Sequence, residues 1–128
     1  MTKRSARSRS GFITALSDDW VPIGPCRDYA ARLKKGGGNI DLVEYPGATH
    51  VFDYQNISGK MQLPQALTAR KCHFEEKQQG AIINSDTGQP ATPNDPCIER
   101  GVTIAYNAEA TEAAQKDVVE FLSKRFNK

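Results

Sequence analysis

The sequence predicts an α/β fold, a βαβα portion of a mainly parallel sheet with an irregular insertion ahead of the last helix. Three observations carry this reading. Two short apolar runs each end in a polar turn, a one-faced amphipathic stretch separates them, and a longer amphipathic stretch closes the chain. Strand, helix and strand within about 35 residues make a βαβ unit, for which a right-handed crossover is the rule.

Residues 11–16 read as the first strand, because Phe12, Ile13, Ala15 and Leu16 form an almost continuous apolar run of the kind found in a parallel sheet. The turn Ser17-Asp18-Asp19-Trp20-Val21-Pro22 leads into a helix with Pro25 near its start, where backbone N–H groups lack intrahelical partners anyway. Cys26, Tyr29, Ala30 and Leu33 then fall on one apolar face. Lys34 and Lys35 suit the negative helix end, and Gly36-Gly37-Gly38 stop the helix.

Residues 39–45 form the second strand, with Ile40, Leu42, Val43 and Tyr45 apolar and Pro46-Gly47 as the turn. From 56 to 100 the pattern weakens into an excursion, punctuated by Pro64, Pro90, Pro93 and Pro96. Within it, 71–75 and 81–84 are candidates for a small hairpin. The closing helix has Asn107 as its N-cap and Glu109 and Glu112 near the positive end. Its apolar stripe comprises Ala110, Ala114, Val118, Phe121, Leu122 and Phe126, and should dock on the sheet.

Charge and composition exclude several function classes. Four basic residues and no acid fall in positions 1–10, so this leader is expected to be a solvated, disordered arm, with the domain proper at 11–128. A nucleic-acid footprint would need basic residues along a folded face, and none is expected. No stretch approaches the roughly 20 apolar residues of a membrane span, and the apolar run after the leader is too short for a signal peptide. The chain as written therefore reads as soluble and cytoplasmic, while a longer parent could still be exported.

The three cysteines lack the spacing of a structural zinc site. Cys72 and Cys97 bracket the excursion, and in an oxidising compartment a bridge between them would contribute about 3 kcal/mol through chain entropy. Cys26 has the placement of a helix-terminus thiolate, yet its apolar neighbours favour an inert buried thiol. A metal set of His50, Cys72, His73 and Asp53 is conceivable by residue type, but no ligand spacing supports it.

Asp18 and His50 each follow a predicted strand, so parallel pairing would bring both loops to one sheet edge, where open α/β sheets hold their active sites. A carboxylate beside an imidazole fixes its tautomer and stabilises the imidazolium formed when the ring takes a nucleophile's proton. The bland alternatives are a loop histidine held for structure and an Asp18-Asp19 pair that only makes a turn or caps the next helix. Trp20 either lines a pocket beside the acid loop or closes a core edge.

The blocks Leu16-Ser17-Asp18-Asp19-Trp20-Val21-Pro22, Cys26-Arg27-Asp28-Tyr29-Ala30 and Tyr45-Pro46-Gly47-Ala48-Thr49-His50-Val51-Phe52-Asp53 resemble successive segments of the dienelactone hydrolase family. The likeness continues weakly through Thr103-Ile104-Ala105-Tyr106-Asn107. The resemblance implies the C-terminal part of an α/β-hydrolase fold, with Asp18 as the triad acid, His50 as the base and Asp19 as an alternative acid. A complete fold of that kind needs roughly twice this length. Its chain order is nucleophile, acid, histidine, so the nucleophile is expected upstream of Met1. Gly24-Pro25-Cys26-Arg27-Asp28 lacks the last glycine of a nucleophile elbow.

The expected function is thus that of a hydrolase-family domain for small ester or lactone bonds, without its own nucleophile and inactive alone, needing no cofactor. Its partners would be such a substrate, once a nucleophile-bearing half is supplied. The alternatives are a non-catalytic module whose open sheet edge is covered by self-association or by a partner, and a gene fragment.

Overall fold

A computed structural model of the chain describes residues 9–126, leaving positions 1–8 of the basic leader outside the described residues. Strand β1 (Arg9–Ala15) begins two residues before the expected boundary, because the Arg9 guanidinium pairs with Asp41 on the neighbouring strand. Helix α1 (Ile23–Lys35) follows, then β2 (Asn39–Tyr45), parallel to β1 in a register that runs from Arg9 opposite Asn39 to Ala15 opposite Tyr45. The backbone N–H groups of Gly36 and Gly38 close α1 onto the carbonyls of Arg32 and Leu33, and Gly37 adopts φ 84°. Such a left-handed conformation carries no penalty without a Cβ.

The mainly parallel sheet expected from the sequence, and with it the C-terminal portion of an α/β-hydrolase fold that the resemblance implied, is not formed: the strands divide among three small sheets. Strands β1 and β2 are a single parallel pair, while β3 (Lys60–Thr68) and β7 (Glu99–Ala105) pair antiparallel. A third, antiparallel sheet comprises β4 (Phe74–Glu76), β5 (Ile82–Asn84) and β6 (Gln89–Pro90). A further parallel strand would need a crossover connection, usually a helix, and residues 46–59 contain none. The chain instead runs out along β3 and, after β4, β5 and β6, returns antiparallel along β7.

Pro64 explains why β3 escapes sequence patterning. It donates no backbone N–H, and the β3–β7 register shifts between Leu63 and Leu67, so apolar alternation is broken in mid-strand.

The core lies between the C-terminal ends of β1 and β2 and the first half of helix α2 (Ala108–Phe126). Ala15, Tyr45, Ala48, Ala110 and Ala114 form it, with Val43 and Phe52 packed alongside. Asn107 caps α2 through a bond from the Ala110 N–H to its side-chain oxygen. Tyr45 donates its hydroxyl to Asp117 at 2.7 Å, and burial together with this bond pushes the phenol's pKa up. Only part of the expected apolar stripe on α2 is covered: Ala110 and Ala114 are buried, whereas Val118 and Leu122 are exposed and Phe126 is 80% exposed. Phe121 lies across Gly11, where a Cβ would come within 3.2 Å of its ring.

Among the described residues no helix is long and apolar enough to cross a membrane. Cys72 and Cys97 are joined in a disulfide, and Cys26 is a partly buried free thiol in α1.

Candidate active site

The parallel pairing of β1 with β2 sends both following loops to the same end, and two backbone bonds knit them together. The Leu16 N–H donates to the Tyr45 carbonyl at 3.1 Å and the Ser17 N–H to the Ala48 carbonyl at 2.9 Å. Asp18 and His50 follow directly, and Asp18 Oδ2 lies 2.9 Å from His50 Nδ1. The other carboxylate oxygen, Oδ1, accepts the backbone N–H groups of Trp20 at 2.9 Å and Val21 at 2.8 Å. One acid thus makes the turn and also holds the imidazole, so the turn-forming and histidine-orienting roles coexist in one side chain.

Asp19 points elsewhere. Its Oδ1 accepts the Thr103 N–H of β7 at 2.8 Å, so the neighbouring carboxylate is tied to backbone rather than to His50. Trp20 lies against the histidine, with ring centroids 4.7 Å apart, and gives its indole N–H to the Leu67 carbonyl.

His50 is fixed on both sides along the chain. Ala48 before it is fully buried, and a single parallel bridge links His50 itself to Ile104 of β7. Phe52 after it accepts the Asn107 N–H and the Thr111 hydroxyl at the start of α2. Between these anchors Val51 is driven to φ 53°, a left-handed conformation that a β-branched side chain strongly resists.

The polarity of the pair follows from donor chemistry. An ionised carboxylate only accepts, so Nδ1 carries the proton and Nε2 presents its lone pair. Nε2 has no hydrogen-bond partner among the described residues, and the histidine side chain is 30% exposed against 11% for Asp18. The arrangement can take a proton from a group brought to Nε2 and share the resulting charge with Asp18.

The other candidates disperse. Cys72 is consumed in its disulfide and His73 pairs with Asp86 at 3.0 Å. Among the described residues no group of three or more His, Cys, Asp or Glu side chains is placed to hold a metal ion. Cys26 sits in α1 and makes no polar contact with the pair among the described residues.

What the sequence reading missed is the support. Thr68 donates its hydroxyl to the Trp20 carbonyl at 2.9 Å, and Arg70 reaches the Asp19 carbonyl at 3.0 Å. With the bonds from Trp20 to Leu67 and from Thr103 to Asp19, the acid loop rests on β3, the residues just after it and β7. Most of that support comes from the stretch read as an excursion. The β-branched run Val102-Thr103-Ile104 was the available signal for β7. Nothing local marked Arg70.

Comparison with protein-family models, curated proteins and solved structures finds no match for the chain.

Proposed function

We propose that the chain provides the acid and base of a hydrolase for small ester or lactone bonds, Asp18 orienting His50 and His50 Nε2 accepting the proton of an attacking hydroxyl or thiol. The attacking group comes from outside this chain. The observation carrying the reading is the 2.9 Å contact between Asp18 and His50, with the Asp18 carboxylate pinned by two backbone N–H groups and Nε2 left open. The likeness of the segments around Asp18 and His50 to dienelactone hydrolases supports the substrate class.

Chemical complementation tests it. Trifluoroethanol replaces the missing nucleophile, and p-nitrophenyl acetate is the ester. The expected result is transesterification first order in alcohol and abolished by His50→Gln, at a gain below the roughly 100-fold of a fully positioned base. Equal rates with wild type and His50→Gln would refute the reading.

A second reading, a self-associating module without catalysis, has two observations in its favour. Strand β1 pairs only with β2 among the described residues, while Val118, Val119, Leu122 and Phe126 stand exposed on α2. Sedimentation as a monomer at every concentration tested removes it.

A further inference from the structure

We propose that Arg70 is a positioning residue for the Asp18–His50 pair, acting through the acid loop without touching either side chain. The inference rests on the reading of that pair as an acid and base. Arg70 lies two residues beyond β3 and gathers three acceptors from two parts of the chain. Its Nε donates to Glu99 Oε2 at 2.6 Å, and its Nη1 donates to the carbonyls of Asp19 at 3.0 Å and Gly101 at 3.2 Å. The guanidinium therefore joins the backbone of the acid loop to β7, the strand that also carries the bridge to His50.

Asp19 is the residue between the one that bonds the imidazole and the one that lies against it. Fixing the Asp19 carbonyl restricts the peptide entering Trp20, whose N–H is one of the two bonds on Asp18 Oδ1. Fixing its carboxylate to the Thr103 N–H restricts the same residue from the other side. A planar fork suits this task better than an ammonium, because its donors stand at fixed angles and satisfy separate acceptors together.

The anchor of the fork is itself secured. Glu99 also binds Lys71 at 2.6 Å, and the disulfide joins Cys72, two residues after Arg70, to Cys97, two residues before Glu99. Arg70 is only partly exposed, at 29% of its side-chain surface, so its bonds are less diluted by water than those of an isolated surface pair.

Nitrogen-15 NMR of the two imidazoles in the full-length chain tests the proposal without any substrate. Wild type should show His50 in the Nδ1–H form with a slowly exchanging proton. His73, bonded to Asp86 in the β4–β6 sheet region, serves as the internal control. Arg70→Gln should speed exchange of the His50 Nδ1 proton on the order of tenfold, as expected for loss of a net hydrogen bond, and leave His73 unchanged. Arg70→Lys should show a smaller effect in the same direction, and it decides the matter should Arg70→Gln not fold. A folded variant with a wild-type His50 signal overturns the proposal, as does a lowered melting temperature with both imidazoles unaltered. Failure of the alcohol experiment would refute the hydrolase reading and leave this ring measurement standing.

Discussion

Asp18 Oδ2 stands 2.9 Å from His50 Nδ1 although 32 positions separate the two residues in the chain. The contact depends on the in-register parallel pairing of β1 with β2, because slipping one strand by a residue would invert its side chains and offset the two loops. Asp18 is bound by its own turn as well, so its two oxygens can be tested separately.

Asp18→Asn retains an oxygen for the Trp20 and Val21 N–H groups but loses the carboxylate that fixes the His50 tautomer. The fold should survive, while alcohol-dependent ester turnover should fall to the level of His50→Gln. Asp18→Ala removes the turn bonds too and should cost about 1–2 kcal/mol more than Asp18→Asn in denaturant unfolding. Equal stability of the two variants would show that the turn bonds contribute nothing.

Val51 carries backbone strain beside the candidate base. Val51→Asn places a residue that tolerates the left-handed region at φ 53° and should raise stability by about 0.5–1 kcal/mol, measured by urea unfolding. A loss of more than about 1 kcal/mol would show that packing of the valine outweighs its strain.

Hydrogen bonds from Lys71 and then Arg70 hold the Glu99 carboxyl below the ordinary carboxylate range. The sign follows from linkage: a depressed folded-state pKa gives stability that is complete above the unfolded value of about 4.3 and lost as the pH falls through the folded value. Thermal melts taken from pH 6 downwards should therefore fall off more steeply in wild type than in Glu99→Gln. Parallel curves would remove Glu99 from the acid response.

Denatured, unreduced protein should titrate with one reactive thiol per chain, that of Cys26. Three would show the bridge absent. Replacing Cys72 and Cys97 with serine should destabilise the fold by about 3–4 kcal/mol, the chain-entropy value for a closed segment of this length.

Apolar runs separated by an amphipathic helix made β1, α1 and β2 legible, since each is a local pattern. The candidate pair was legible for the same reason, each residue standing just past a readable strand. The mainly parallel sheet was an extrapolation from that one unit, and it fails because no helix follows β2 to carry the chain back. Strand β3 was hidden by Pro64 and a register shift, and its partner β7 is 31 positions away at the Thr68–Glu99 end of the ladder. Non-local pairing of this kind leaves no periodicity to count. Arg70 was invisible for the same reason: its three acceptors belong to residues 19, 99 and 101.

The disulfide also determines how the molecule would respond to a protease. A cut anywhere between Cys72 and Cys97 would leave two fragments covalently tied, with Arg70 on one and Glu99 on the other still face to face. Nicking in that stretch should therefore change the band pattern on a reducing gel while sparing the acid loop, and only the combination of cleavage and a reductant would let the halves part.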